Sequence, residues 1–242
     1  MSESKGAVTI LQLYPRDMNI YGDWGNVLTL SRRLEWHGYT PVVVGYDPGE
    51  AFPEDVDLVV GGGGQDSGQG VIQTDLRAIG PRLREWAEDD VPMLAICGLY
   101  QLFGRFFRTL EGEMIEGIGL LDIETIGGQE RLIGNIVTES SEFGQVIGYE
   151  NHSGKTYLGA GATPFGRVLA GAGNNGEDGT EGVRHRNVVG SYLHGSLLPK
   201  NPLVADFLIE RAVVRRHGSF TPGDLDDTVE HRARTVAAAR PR

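Results

Sequence analysis

A lone cysteine and a distant histidine have the residue types and the positions of a thiol nucleophile and its base. Cys97 is the only cysteine among 242 residues, and it follows the apolar run 91–96 at the point where a helical pattern begins. The N-terminus of a helix favours a thiolate. His194 follows a second apolar run, residues 188–193. The pair predicts covalent catalysis, with Cys97 as nucleophile and His194 as general base.

Four consecutive glycines, residues 61–64, follow a third apolar run. Glycine lets the backbone turn its N–H groups toward a small site, where they can stabilise an oxyanion. We therefore predict an oxyanion hole formed by the backbone N–H groups of Gly64 and Gly98. A phosphate-binding loop is disfavoured, because no Gly-Lys-Ser or Gly-Lys-Thr sequence follows the glycines.

Alternating strand and helix patterns would position these residues. Apolar runs predict strands over residues 8–13, 40–44, 56–60, 91–96 and 188–193, and helical spacing predicts helices over residues 26–37, 71–88, 97–107 and 203–216. This order predicts an α/β fold with a doubly wound, mostly parallel sheet and helices on both faces. The glycines, Cys97 and His194 would then meet at the carboxyl edge of the sheet, where sites of such folds lie.

In the second half of the chain the apolar runs are short and glycines are frequent between them. Short runs at 119–126, 132–138 and 145–149 are separated by glycines and predict β-hairpins or meanders, and the Gly/Asn/Asp-rich segment 171–182 predicts a loop. We expect one domain over residues 1–216. The polar, Ala/Arg-rich tail at 217–242 is read as a loose helix or a disordered segment.

Composition narrows the functional class. A net charge of −11 argues against general binding to nucleic acids or anionic membranes. One cysteine excludes an internal disulfide, and no apolar stretch approaches the ~20 residues of a membrane helix. The sequence shows no metal-binding cluster. It predicts a soluble cytoplasmic protein.

The residues around Cys97 resemble the nucleophile elbow of class I (triad-type) glutamine amidotransferases. The segment 95–101 reads Ala-Ile-Cys-Gly-Leu-Tyr-Gln, in which Ala95 and Leu99 replace two glycines of the family pattern. The resemblance implies a flavodoxin-like fold. Most members carry a glutamate two residues after the histidine. This chain has Ser196 there, and the cobyric-acid-synthase branch likewise lacks the acid. Either a dyad suffices or another residue orients His194; we hypothesise that a partner chain supplies the acid, which would make the isolated chain a poor glutaminase.

Further motifs, covering about residues 8–216, are similar to one subfamily, the glutaminase subunits of lipid II isoglutaminyl synthase. They stand at 18–26 (Met-Asn-Ile-Tyr-Gly-Asp-Trp-Gly-Asn), 62–66, 131–135, 148–152 and 190–202. The resemblance implies that Arg131 recognises glutamine, and that Gln101, Asn151 and His152 lie at the pocket. The loop 19–26 would face either substrate or partner. The implied partner is a Mur-ligase-like synthetase subunit (MurT) in a heterodimer, which would hold ATP and magnesium; this chain itself would need no cofactor or metal.

Three other readings stay open at the level of sequence. The chain could be an amidotransferase for a cobyrinic-acid-type acceptor, a stand-alone cysteine hydrolase, or a non-catalytic binding subunit. His152 is the rival base, although we read it as pocket wall. The remaining histidines are predicted to lie at the surface: His37, His185, His217 and His231.

Overall fold

The computed structural model describes residues 4–64 and 66–240 and contains two sheets and five α-helices within them. Gln65, part of the motif at 62–66, lies outside the described residues. In chain order the elements are β1 (Ala7–Leu13), α1 (Trp24–His37), β2 (Thr40–Tyr46), β3 (Leu58–Gly61), α2 (Asp66–Glu88), β4 (Met93–Ile96), α3 (Gly98–Phe103), β5 (Phe106–Arg108), β6 (Met114–Glu116), β7 (Ile123–Ser140), β8 (Gly144–Leu158), β9 (Gly166–Ala170), β10 (Thr180–Glu181), β11 (Val183–His185), β12 (Val188–Ser191), α4 (Pro202–His217) and α5 (Thr228–Ala238). Single 3₁₀ turns lie at Ile20–Gly22 and Leu198–Lys200.

The first sheet has the predicted doubly wound, mostly parallel form. Its strand order is β11-β12-β4-β3-β1-β2; β11 runs antiparallel to β12, and the other pairs are parallel. The crossovers from β1 to β2 and from β3 to β4 progress in opposite directions along the sheet. Right-handed connections therefore place α1 and α2 on opposite faces. The helices pack accordingly, α1 with α4 and α2 with α3, and the predicted fold class is confirmed.

The central strands bring three candidate segments to one edge. Every residue of β3 and β4 is buried, as expected for parallel strands covered on both faces. Strand β3 ends at Gly61 and β4 ends just before Cys97. Strand β12 pairs with β4 and ends three residues before His194. The carboxyl ends of all three strands lie at the same edge of the sheet, as predicted.

The second sheet contains one long hairpin in place of the short ones predicted. Strands β7 and β8 pair antiparallel over most of their length, with a register shift between Gly127 and Leu132. Gly144 lies at the hairpin turn, but other glycines of this part of the sequence lie inside the ladder. Gly154 is an example, since a Cβ there would collide with the Gln101 side chain. These glycines mark close approach to neighbouring elements.

Two helix ends differ from the predicted ones. Helix α2 begins at Asp66, before the predicted start, and α3 ends at Phe103 rather than near Phe107. Gly104 ends α3 with an extended backbone (φ −72°, ψ −167°). A Cβ on Gly104 would lie 2.6 Å from the Ile123 side chain, so the chain leaves the helix where it meets β7. No helix among the described residues is long and apolar enough to cross a membrane.

The C-terminal tail forms helix α5, which packs against β7, β8 and the turn Leu198–Lys200. Asp227 precedes α5 and accepts a hydrogen bond from Arg33 of α1 at 2.6 Å. The Gly223 N–H donates to His37 Nδ1 at 3.0 Å. His37 is only 3% exposed, so its predicted surface position is wrong, because the tail covers it.

Candidate active site

Cys97 occupies a strained turn between β4 and α3. Its backbone has φ 49° and ψ −104°, a conformation of the kind that costs a non-glycine residue about 1–3 kcal/mol. The Cys97 N–H donates to the Ser191 carbonyl at 2.8 Å, which fixes the turn to the end of β12. Cys97 is 7% exposed and lines a cavity. A strained strand-to-helix turn of this kind presents a nucleophile at the edge of a sheet.

His194 approaches Cys97 beside the glycine run. A Cβ on Gly63 would lie 2.7 Å from His194 Cε1 and 3.0 Å from Cys97 Cβ, so the two side chains converge at that glycine. His194 is fully buried, and its Nε2 has no hydrogen-bond partner among the described residues. Its backbone N–H donates to the Tyr149 carbonyl of β8 at 2.8 Å. A fixed imidazole with an unshared nitrogen beside a thiol fits the predicted general base.

The acid beside His194 comes from the loop after β1. Asp23 is 3% exposed; its Oδ1 accepts from His194 Nδ1 at 3.2 Å and its Oδ2 accepts from the Gly63 N–H at 2.8 Å. Asn19 leaves Asp23 free for this role, since the Asn19 side chain accepts the Trp24 N–H at the start of α1 at 2.8 Å. A residue just before a helix would otherwise cap these N–H groups itself.

This contact corrects the hypothesis that a partner supplies the acid. That hypothesis followed from the absence of an acid at position 196. The loops after β1 and β12 meet at the same sheet edge, where Ser196 Oγ donates to the Gly22 carbonyl at 2.8 Å. Their meeting brings Asp23 to His194 across 171 positions of sequence. Cys97, His194 and Asp23 thus have the arrangement of a triad within one chain.

Neighbouring charges set the protonation state of His194. Burial opposes a charged imidazole, but the Cys97 thiolate and the Asp23 carboxylate outweigh it and raise the pKa of His194 to about 10. At neutral pH the imidazole beside Cys97 is therefore protonated. A protonated imidazole beside a cysteine can give its proton to a leaving amine in an acyl-transfer reaction.

Gly64 and Gly98 lie against each other beside Cys97. A Cβ on Gly98 would lie 3.0 Å from the Gly64 nitrogen and 2.9 Å from Gln69 Nε2, so a side chain does not fit there. The structure thus brings together the two backbones predicted to form an oxyanion hole. Amides that converge beside a nucleophile can hold the negative charge of a tetrahedral intermediate.

A cavity of about 390 Å³ adjoins Cys97 and is partly lined by the remaining predicted pocket residues. They are Gln101, Arg131, Asn151 and His152. Arg131 is exposed, and its Nε donates to Asn151 Oδ1 at 2.5 Å. A planar guanidinium in such a position can bind a carboxylate through two hydrogen bonds.

His152 and Gln101 form buried walls of this cavity. His152 stacks on Tyr192 with ring centroids 3.5 Å apart, and its Nδ1 donates to the Gly154 carbonyl at 2.7 Å. Burial lowers the pKa of His152 to about 4, so the ring is neutral and committed to the backbone. Gln101 accepts from Gln69 at 2.7 Å and donates to the Tyr192 hydroxyl at 3.0 Å. These contacts fit the reading of His152 as pocket wall rather than base.

Comparison with known proteins shows the family of this chain. Residues 9–202 match the CobB/CobQ-like glutamine amidotransferase domain. The chain belongs to this family. Over most of its length this amidotransferase is similar to subunits of lipid II isoglutaminyl synthase. It is 38% identical over 234 residues to the lipid II isoglutaminyl synthase (glutamine-hydrolyzing) subunit GatD of Staphylococcus aureus, which covers 96% of both chains. It is 37% identical to the subunit of that name from Streptococcus pneumoniae, covering 87% of this chain and 82% of the relative.

More distant matches agree with the family and the fold. Cobyric acid synthase of Listeria monocytogenes is 30% identical over 185 residues, which are 73% of this amidotransferase and 35% of the synthase. A solved glutamine amidotransferase has a TM-score of 0.59 at 17% identity, covering 84% of this chain and 98% of that one. Another, from Thermotoga maritima, has a TM-score of 0.55 at 15% identity, covering 95% and 93%. At these identities the structures show the fold alone.

Sequence reasoning missed three residues of this amidotransferase's site. Asp23 and Tyr21 lie in the motif 18–26, which carried the resemblance but received no chemical role. The available signal was an acid in the loop after β1, at the sheet edge that also holds Cys97. Gln69, which lines the cavity from α2, carried no signal in the sequence.

Proposed function

We propose that this amidotransferase is the glutaminase subunit of a lipid II isoglutaminyl synthase. The grouping of Cys97, His194 and Asp23 beside a cavity with Arg131 in its wall supports hydrolysis of glutamine. The similarity to two GatD subunits over most of their length supports lipid II as the molecule that receives the amide.

In the proposed reaction, the Cys97 thiolate attacks the side-chain amide carbon of L-glutamine. The backbone N–H groups of Gly64 and Gly98 stabilise the oxyanion. Protonated His194 gives its proton to the departing amine, which leaves as ammonia, and a γ-glutamyl thioester forms on Cys97. Neutral His194 then takes a proton from water, whose oxygen attacks the thioester and releases glutamate and the thiolate.

Recognition of the amino acid is assigned to the rim of the cavity. Arg131 would bind the α-carboxylate of glutamine with its guanidinium. Its Nε is held by Asn151 and its Nη2 lies 3.5 Å from the Tyr21 hydroxyl, which together fix the guanidinium at the rim. Gln101 and His152 would shape the wall beside the substrate.

Released ammonia is useful only if it reaches an acceptor. We propose that a Mur-ligase-like synthetase subunit (MurT) binds this chain as a heterodimer and receives the ammonia. That partner would use ATP and magnesium to activate the α-carboxyl group of D-glutamate in the lipid II stem peptide, giving D-isoglutamine. This chain would contribute no cofactor of its own.

Ammonia release from L-glutamine tests this proposal. Wild type and Cys97→Ala are assayed alone and with the proposed synthetase partner, ATP and lipid II, and amidation of lipid II is followed by mass spectrometry. We expect Cys97-dependent glutamate formation and, with the synthetase, a lipid II product lighter by the exchange of hydroxyl for amine. Glutamate formation without lipid II amidation would redirect the proposal to another acceptor, such as a cobyrinic-acid-type substrate. No Cys97-dependent release would refute the glutaminase function itself.

A further inference from the structure

Tyr21 contacts both Arg131 and His194, two side chains that the proposed reaction requires at a fixed distance from each other. Arg131 lies on the hairpin of β7 and β8, and His194 lies after β12 in the other sheet. Tyr21 belongs to neither element, since it lies in the turn Ile20–Gly22 after β1. It touches residues on both sides.

The backbone of Tyr21 is strained although the side chain is not buried. Its φ of 57° and ψ of 19° place a non-glycine residue in the left-handed region. The residue is 44% exposed, so burial of its ring does not account for the conformation. Strain of this kind persists where surrounding contacts hold it, and it clusters at functional sites.

The ring of Tyr21 packs against the catalytic imidazole. The ring centroids of Tyr21 and His194 lie 5.1 Å apart at an interplanar angle of 74°, a favourable edge-to-face arrangement. Asp23, two residues later in the same loop, bonds the imidazole through its Nδ1. One loop therefore fixes His194 by both its ring and its nitrogen.

The hydroxyl of Tyr21 reaches the opposite wall. It accepts a hydrogen bond from Asn151 Nδ2 at 2.7 Å, and Arg131 Nη2 lies 3.5 Å from it. Asn151 in turn accepts from Arg131 Nε at 2.5 Å. The three side chains form a closed hydrogen-bonded group that joins the hairpin to the loop after β1.

We propose that Tyr21 is a positioning residue that holds Arg131 at the correct distance from the Cys97–His194 pair, and so makes the site selective for an amide carrying a glutamine-like α-carboxylate. The proposal rests on the proposed glutaminase function. In glutamine, three carbons separate the carboxamide from the α-carboxylate, so the spacing between Arg131 and the nucleophile sets which amide can react. A misplaced guanidinium weakens glutamine binding without changing the chemistry at Cys97.

Two substitutions separate the hydroxyl from the ring. In Tyr21→Phe the ring stays against His194 and the acceptor for Asn151 is lost; we expect KM for L-glutamine to rise about 3–10-fold, the change for one hydrogen bond, with kcat within about 2-fold. In Tyr21→Leu the aromatic contact is lost as well, and kcat falls in addition. Tyr157→Phe is the matched control, since Tyr157 lies on β8 with its hydroxyl on Glu177 and its exposure is 39%.

The decisive measurement is alkylation of Cys97 in the full chain by two reagents. Diazo-oxo-norleucine carries the α-carboxylate and α-ammonium of glutamine, whereas iodoacetamide carries neither. We expect Tyr21→Phe to slow labelling by the glutamine analogue about 3–10-fold at subsaturating reagent. Labelling by iodoacetamide should stay unchanged, and Tyr157→Phe should match wild type with both reagents.

Each outcome has one meaning. Equal slowing with both reagents would show that Tyr21 acts on the reactivity or folding of the Cys97 region, and would overturn the positioning role. An unchanged KM and unchanged analogue labelling in Tyr21→Phe would overturn it as well. If wild type shows neither glutamine turnover nor preferential labelling by the analogue, the glutaminase function fails, which the wild-type data alone reveal.

Discussion

At the scale of single residues, Cys97 and Asp23 both favour the protonated form of His194. The thiolate of Cys97 and the carboxylate of Asp23 together overcome the burial penalty and raise its pKa to about 10. The folded-state pKa thus lies above the unfolded value of about 6.5. Protonated His194 therefore stabilises the fold fully below pH ~6.5, and that contribution is lost as the pH rises toward about 10. The proton that carries this stabilising charge is also the one that, in the proposed reaction, His194 gives to the departing amine.

Replacing Asp23 tests which chain orients the imidazole. Asp23→Asn keeps the size of the side chain and removes the charge, so we expect the pKa of His194 to fall, as measured by NMR titration of the imidazole. We expect kcat for glutamine hydrolysis to fall about 10²-fold, the typical contribution of a general acid–base group. KM should change little, because Asp23 does not line the cavity wall that holds Arg131.

The same variant in the presence of the synthetase is the counter-test. If Asp23 is the orienting acid, the Asp23→Asn complex stays as impaired as the isolated variant. A complex with full glutaminase activity would return the orienting role to the partner, as the sequence alone had suggested. Asp224→Asn, an exposed substitution in the tail, serves as the charge-matched control.

At the scale of elements, the site depends on how closely three loops can approach one another. The glycines after β3 permit this approach, since a Cβ on Gly62 would lie 2.8 Å from Asp23 Cβ and one on Gly64 would lie 2.9 Å from the Asp17 carbonyl. Gly63 is the glycine whose Cβ position would meet both His194 and Cys97. The run is therefore required for close packing rather than for flexibility.

Gly63→Ala should disable catalysis while leaving the fold intact. The added methyl group would contact both His194 and Cys97 and force them apart, and a displacement of about 1 Å between catalytic groups can cost 10²-fold in rate. Gly70→Ala in α2 is the control, because nothing lies within 4 Å of its Cβ position. We expect that control to keep full activity and to gain up to about 1 kcal/mol from helix propensity. Circular dichroism and kcat together decide; a fully active Gly63→Ala protein would contradict the proposed packing.

Local patterns were enough to predict the parallel sheet, the turn at Cys97 and the position of His194. Each of these follows from an apolar run and its end, which periodicity shows directly. Asp23 was not predictable in this way, because its contact with His194 spans 171 positions and depends on Asn19 taking over the helix cap. The long hairpin was not predictable for a related reason: glycines separate short runs in the sequence, but inside the hairpin a glycine such as Gly154 marks close approach to Gln101.

At the scale of the whole molecule, one buried arginine of α1 binds α4 and the segment before α5. Arg33 is 1% exposed and donates to Asp206 of α4 at 2.7 and 2.6 Å. Its Nη1 donates to Asp227 at 2.6 Å. A buried guanidinium is tolerated only when its hydrogen bonds are met. The tail segment before α5 is thus part of the environment that Arg33 requires, although the family match ends at residue 202.

Removing the Asp227 carboxylate from this network should lower the free energy of unfolding by a limited amount. In Asp227→Asn, Arg33 keeps Asp206, so we expect a loss of about 1–2 kcal/mol in the free energy of unfolding, less than the ~3–5 kcal/mol for a buried charge left without any partner. Urea denaturation measures the change, and Asp224→Asn should stay within about 0.5 kcal/mol of wild type. Arg33→Ala should cost more than Asp227→Asn, because it removes the guanidinium that donates to both Asp206 and Asp227. An Asp227→Asn protein as stable as wild type would contradict this, and would show that α5 is held by its packing on β7, β8 and the turn Leu198–Lys200. Either result separates the tail's contribution to stability from the chemistry at Cys97, which this substitution does not touch.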